Sequence, residues 1–189
     1  MYGIQQRANN VFATFLSVAF AVVAIVAATS ELMLRWTPAP EINVSVNHVQ
    51  LKIGRDSYYS PKSEQLATLS FNLEADLTPL FNWNTKQVFA YLVAEFDTKD
   101  YSPNQVTIWD DIITSKEDAY IKLKDKRQKY NLIALNDRIE NANASLSLHW
   151  NVNPYMGLLS WNHGGHTKID MRKAPAKTKP KVSKPSGKK

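Results

Sequence analysis

The stretch Asn143-Ala-Ser-Leu-Ser-Leu-His-Trp-Asn-Val-Asn-Pro154 decides the fold. Leu146, Leu148, Trp150 and Val152 alternate with Ser145, Ser147, His149 and Asn151, the period of a strand with one buried face. Pro154 ends the run because it has no backbone donor. The same period recurs upstream. Leu69, Phe71, Leu73 and Ala75 alternate with Ser70, Asn72 and Glu74. Ile42, Val44 and Val46 alternate with polar residues until the phase moves by one, and Val49, Leu51 and Ile53 continue the pattern. One extra residue at Asn47-His48, a β-bulge, would return the apolar set to the same face, so one bent strand or two abutting strands are predicted.

The segments between these runs complete the pattern. Val88 to Phe96 is apolar on both parities and reads as a central strand covered on both sides. Val106 to Trp109 with Ile112 and Ile113 gives another extended stretch, while Gly54 to Gln65 is polar and reads as a loop. Thr78-Pro79 reads as a short helical turn, with Thr78 as its cap and Pro79 in the first helical position. Ser115 to Asp118 fits a capping box, yet residues 124–129 have no apolar side chain to continue a helical stripe. A hairpin of 120–124 and 130–135, turning through 125–128, is predicted instead. Its Lys122, Lys124, Lys126, Arg127 and Lys129 read as solvated rather than as a lipid-headgroup contact. Seven or so short strands over about 130 residues suggest an antiparallel β-sandwich, a mainly β fold.

Ahead of the strands lies a different kind of segment. Residues 8–30 carry no charge, and between Val11 and Ala28 only Thr14 and Ser17 are polar. Their hydroxyls can bond back to carbonyls within a helix. Roughly 20 residues cross a bilayer core of about 30 Å, so this segment is long enough to span. A cleaved signal peptide is the competing reading, since Val26-Ala-Ala28 offers small residues for cleavage; the apolar run exceeds the usual 7–15 residues or so. Arg7 and the α-amino group precede the segment without an acid, whereas Glu31, Arg35 and Glu41 follow it. That bias favours a cytosolic N-terminus. Trp36 is expected at the far interface, with Pro38 and Pro40 beginning an extended stalk.

Charge is equally localised. The 189 residues hold 23 Lys+Arg and 17 Asp+Glu, with a pI near 9.4. Eight of the basic residues and no acid lie from Arg172 onward, leaving a net −2 for residues 1–171. Lysines interleaved with Pro175, Pro180 and Pro185 cannot bury surface to offset ordering entropy, so residues 171–189 are expected to be disordered. The tail has the charge for nucleic acid but no stacking aromatic, and no nucleic-acid module precedes it. The absence of cysteine excludes disulfides, thiol catalysis and thiolate metal sites.

The search for chemistry yields little. His163-Gly-Gly-His166 has metal-like spacing, but two ligands on a loop with no nearby carboxylate make a poor zinc site. Asp110 and Asp111 are adjacent, so a strand points them to opposite faces. There is no Gly-x-Ser-x-Gly elbow, His-Glu-x-x-His or phosphate-cradling glycine loop. No catalytic, metal or cofactor-binding residue is assigned. Two N-glycosylation sequons occur, Asn43-Val-Ser45 and Asn143-Ala-Ser145. Asn43 lies 13 residues past Ser30, where the membrane would limit access, which makes Asn143 the better acceptor.

Several blocks, in matching order from about residue 5 to 169, resemble the signal peptidase complex subunit 3 family. They are Arg7-Ala-Asn-Asn-Val-Phe-Ala-Thr-Phe-Leu-Ser17, Asp76-Leu-Thr-Pro-Leu-Phe-Asn-Trp-Asn-Thr-Lys-Gln-Val-Phe-Ala-Tyr-Leu92, Asn104-Gln-Val-Thr-Ile-Trp-Asp110 and the stretch from Asn143 to Val152. The lysine-proline tail departs from the family by its length and basicity. The resemblance implies a type II single-pass protein of the endoplasmic-reticulum membrane. Residues 1–7 would be cytosolic, 8–30 a signal anchor, 31–170 a lumenal sandwich glycosylated at Asn143, and 171–189 the tail. It further implies a non-catalytic, cofactor-free subunit that supports a separate serine protease subunit, with that subunit, small membrane subunits and the bilayer as partners and no nucleic acid. Phe81 and Trp83 are the candidate subunit contact, because interface anchors are enriched in aromatics; they read equally well as core. Without the resemblance, an anchored immunoglobulin-like binding module unrelated to proteolysis is the alternative.

Overall fold

The computed structural model describes residues 3–54, 64–98, 102–133, 139 and 142–172. The predicted loop of residues 54–65 lies outside them across 55–63, but its ends, Gly54, Glu64 and Gln65, belong to strands; the predicted tail lies outside them from residue 173, but Met171, assigned to it, is buried in the core. A single helix, α1 (Ile4–Trp36), contains the whole uncharged segment and measures about 50 Å at 1.5 Å per residue. Thr14 and Ser17 donate to the carbonyls of Asn10 and Ala13, each at 2.9 Å, as expected of hydroxyls in an apolar helix. Val11, Phe12, Phe15, Val18 and Phe20 are all exposed, and the helix is long and apolar enough to cross a membrane. It stops where the Thr37 amide donates to the Met33 and Leu34 carbonyls, with Pro38 and Pro40 following.

Among the described residues eight strands follow: β1 (Glu41–Gly54), β2 (Glu64–Asp76), β3 (Thr85–Phe96), β4 (Asn104–Ile113), β5 (Tyr120–Arg127), β6 (Leu132–Ile133), β7 (Asn143–Pro154) and β8 (Ser160–Asp170). They form two antiparallel sheets. One has the order β1-β2-β5 with β6 also on β2, and the other has the order β4-β3-β7-β8. The core lies between them, filled by Leu69, Phe71 and Leu73 of β2, Val88, Leu92 and Phe96 of β3, and Leu146, Leu148 and Trp150 of β7. Phe71 meets Trp109 edge to face across the gap at 6.4 Å.

The alternating runs are strands, and the phase change in β1 is a bulge between Val46 and His48 in one continuous element. Three expectations are corrected. Val88 to Phe96 is central in its sheet and buried throughout on its core face; on the other face Val93 is buried too, but Phe89 and Tyr91 are only half-buried and stack at 5.2 Å. The short turn Thr78–Leu80 is capped by Leu77, one residue earlier than predicted, and the Thr78 amide donates to Asp76 Oδ1 at 3.0 Å. The capping-box residues Ser115 and Asp118 close a turn on each other and start no helix, in keeping with the preference for strand from Tyr120. Residues 120–133 do not form the predicted hairpin, because β5 and β6 both pair antiparallel with β2, at its 70–76 and 66–67 segments; 134–135 lie outside the described residues.

The side chain of Gln128 fills the gap between β5 and β6. Its Oε1 accepts from the Leu69 amide at 2.9 Å and its Nε2 donates to the Ala67 carbonyl at 3.0 Å. The backbone freed from the ladder crosses to the other sheet, where the Lys129 and Tyr130 amides donate to the carbonyl of Ile108 at 2.7 and 3.2 Å. Ile108 is available because a bulge in β4 leaves it without a partner on β3. Of the lysines in this stretch, Lys122 pairs with Glu74 and Lys129 with Asp110, each at 2.7 Å.

His163-Gly-Gly-His166, expected as a flexible loop, lies inside β8. Gly165 has φ +65°, and a Cβ there would sit 2.3 Å from Ile42 Cγ2. Gly164 is likewise in contact range of Ile42 and the Trp150 ring. The glycines let the edge of one sheet close against β1 of the other, a packing role that glycine in a strand commonly marks.

Candidate functional site

The residues with chemical potential are dispersed. Asp110 is held by the Lys129 ammonium, which keeps its carboxyl below the ordinary range, whereas the Asp111 carboxylate accepts from the Ile112 amide. They share no site. On the outer face of the second sheet, rings run in a row. Tyr91 and His149 are 5.4 Å apart, His149 and His163 stack at 5.2 Å, and His163 meets His166 edge-on at 5.4 Å. Among the described residues no group of three His, Cys, Asp or Glu side chains is arranged to hold a metal ion. Burial pushes the His149 imidazole below its ordinary value, and charge on His163 and His166 adds to that, against Glu95.

The sequon asparagines lie on different sheets of the sandwich. Asn43 is an exposed residue of β1, paired with Glu74, two residues into the strand that α1 feeds. Asn143 is the exposed first residue of β7, and its carbonyl accepts from Asp97 at 3.2 Å. β7 is 12 residues long, about 40 Å at 3.3 Å per residue. Asn143 therefore lies roughly that far from the Pro154 end that meets the helix.

That end is the most differentiated region of the molecule. Phe81 is half-buried and packs on the core, while Trp83 stays 59% exposed. The Trp83 indole donates to Met33 Sδ of α1 at 3.3 Å. Asn84, 2% exposed, is a clamp. Its Nδ2 donates to the Met156 carbonyl at 2.7 Å, its Oδ1 accepts the Met156 amide at 3.1 Å, and its own carbonyl accepts the Tyr155 amide at 2.8 Å. The clamped turn between β7 and β8 touches the helix, with the Cβ position of Gly157 3.3 Å from Ala27 Cβ. A small cavity of about 210 Å³ lies between them, lined by Ala27, Ser30, Glu31 and Leu34 of α1 and by Met156 and Leu158 of the turn. Ser30, in the last uncharged position of the segment, is buried here, and Leu34 packs on the core. The helix is thus seated on the sandwich through side chains as well as through the Thr37–Pro40 connection.

The family model described as signal peptidase subunit matches residues 1–174. The chain is a member of that family. Among relatives named signal peptidase complex subunit 3, the Yarrowia lipolytica protein is 39% identical over 160 residues, covering 80% of this chain and 86% of the relative. The Saccharomyces cerevisiae protein is 38% identical over 85% of this chain and 91% of its own. The human protein is 34% identical over 89% of this chain and 93% of its own. The match to the signal peptidase subunit family spans both the helix and the sandwich, and so includes the seat between them.

Of this family member's junction, only Phe81 and Trp83 were singled out from sequence. Asn84 and Gly157 were not, because the bonds from Asn84 to Met156 join residues 72 apart, a separation that no local pattern reports. One signal was available: residues 141–167 carry no Asp, Glu, Lys or Arg.

Proposed function

We propose that the chain is a non-catalytic accessory subunit of the signal peptidase complex in the endoplasmic-reticulum membrane. In this reading residues 8–30 of α1 span the bilayer with residues 1–7 in the cytosol, the sandwich from residue 31 through the buried Met171 is lumenal, and the residues after it form the tail. The sandwich packs against the catalytic serine protease subunit and holds its active site at a fixed height above the lipid during removal of signal peptides. The observation that carries the positioning role is the seat itself. A domain joined to its anchor only by Thr37–Pro40 would swing; contacts from Trp83 to Met33 and from Gly157 to Ala27 supply a second attachment. Those contacts also favour an uncleaved anchor, since cleavage near Ala28 would discard half of the seat. Family membership favours this role over an anchored binding module unrelated to proteolysis.

Phe81 and Trp83 are the proposed contact with the catalytic subunit. Trp83 is the stronger of the two because most of its surface is open, as an interface anchor requires. The test is co-purification in mild detergent. Trp83→Ala is expected to release the catalytic subunit and abolish signal-peptide cleavage in the pull-down, with the circular dichroism of the sandwich unchanged. An unfolded variant, or one that retains the catalytic subunit, would remove Trp83 from the interface.

A further inference from the structure

The turn between β7 and β8 carries Tyr155, Met156, Leu158 and Leu159, followed by Trp161 as β8 begins. Leu158 is 87% exposed, Tyr155 68% and Trp161 64%. Runs of open apolar side chains of this kind mark interaction surfaces. Two observations identify what meets this one. No Asp, Glu, Lys or Arg occurs from 141 to 167, so the turn itself is uncharged, and the charged residue lining the cavity beside it is Glu31 of α1, one position past the uncharged segment. Its depth is set by the contact of Gly157 with Ala27, a residue inside the uncharged segment of α1.

Ala27 lies three residues before Ser30, about 4–5 Å along the helix axis. If α1 spans the bilayer, a turn seated on Ala27 lies beneath the level at which the helix leaves the hydrocarbon. Apolar faces of interfacial elements enter a leaflet by about 5–10 Å, which matches that depth. The surrounding aromatics suit the level immediately above. Trp36, at the end of α1, is exposed, and Trp83 sits beside Met33, three residues before it. Tryptophan and tyrosine favour the headgroup region, where an apolar ring and a polar N–H or O–H are both satisfied. The turn is also prepared for insertion, because Asn84 fixes the Tyr155 and Met156 backbone, so little ordering remains to oppose entry.

We propose that residues 155–161 form a second membrane contact of this subunit. Leu158 and Leu159 insert into the leaflet that α1 exits, with Tyr155 and Trp161 at the headgroups. The inference rests on the reading that α1 spans the bilayer. Two contacts side by side fix the tilt of the sandwich as well as its height, which a single helix cannot do.

The absence of native cysteine allows a direct test on the full chain in phosphatidylcholine vesicles. An environment-sensitive fluorophore is placed on Leu158→Cys, on Val22→Cys within α1 and on Gln105→Cys at the far end of the sandwich. Each is quenched in turn by iodide and by lipids spin-labelled near the headgroup. The position-158 label is expected to be quenched by the lipids and to show iodide quenching about threefold or more below that at position 105, as for a leaflet-buried side chain. Iodide quenching equal to position 105, with the position-22 label still inaccessible to iodide, would overturn the second contact and leave the spanning helix intact. Shielding of position 158 from both quenchers would mean a protein occupant, such as a second copy, and would equally overturn it. Iodide access at position 22 would overturn the spanning reading and this inference with it.

Discussion

Gly165→Ala tests the closure of the sandwich. The residue has φ +65°, and an added Cβ would meet Ile42 Cγ2 at 2.3 Å, Ile42 Cβ at 3.1 Å and Val44 Cγ2 at 3.3 Å. Left-handed backbone costs an alanine about 1–2 kcal/mol, and forcing a methyl into a packed contact costs about 1–3 kcal/mol more. The total of about 2–5 kcal/mol is a large part of the stability of a typical domain, about 5–15 kcal/mol. With a urea slope of about 2 kcal/mol/M, the midpoint should fall by about 1–2.5 M. Tryptophan emission of the purified full chain in mild detergent reads this, since Trp109 and Trp150 are buried. Adding Ile42→Ala separates the two causes. It removes the 2.3 Å contact and keeps the backbone strain, so about 1–3 kcal/mol should return relative to additivity. A midpoint unchanged by Gly165→Ala would refute the strain, and a loss that Ile42→Ala leaves untouched would refute the steric closure of β8 on β1.

Three further outcomes follow from the same geometry. Gln128→Ala strips partners from the Leu69 amide and the Ala67 carbonyl, at about 1–3 kcal/mol for each group left unsatisfied; hydrogen exchange at Leu69 should accelerate, and unchanged protection there would dismiss the side-chain bridge. Because the His149 imidazole is pushed below its ordinary value in the fold, the unfolded chain binds more protons as pH falls below about 6.5. Stability is therefore retained above that pH and lost below it, and His149→Gln should flatten the fall in urea midpoint between pH 7.5 and 5.5; identical slopes would discard the argument. Asn143→Gln should abolish the glycosidase-sensitive mass of the native protein, whereas Asn43→Gln, close to the end of α1, should not; a mass loss that survives Asn143→Gln would reverse the assignment.

How much of this was legible in the residues depends on where each partner lies along the chain. β2 and β7 announced themselves because each buries one face, and the β1 bulge showed as a change of phase for the same reason. β8 did not, since its glycines interrupt the alternation and its contact with Ile42 and Val44 joins residues more than a hundred positions apart. The spurious hairpin at 120–135 came from treating neighbours in sequence as neighbours in the sheet, whereas both segments line the same edge of β2. On β3 the apolar outer face is covered by aromatic rings lying on one another, which alternation cannot distinguish from a second layer. At the junction, Trp83 was visible as an aromatic, but the buried amide of Asn84 that holds the turn against the helix was not.

The two long sides of the sandwich are fastened differently. On one, the Lys129 and Tyr130 amides bond across to Ile108, so the sheets are laced by directional bonds. On the other, β8 lies on β1 through Gly164 and Gly165, by close packing alone among the contacts described. Partial opening of the structure should therefore be one-sided, like a book hinged at Ile108 and parting at β1. β1 is also the strand that continues directly into α1, so a pull on the membrane helix reaches the side that opens first. Mechanical load arriving from the bilayer and local fluctuation of the fold share one weak line, and the Trp83 and Gly157 contacts divert part of that load to β3 and β7, the inner strands of the other sheet.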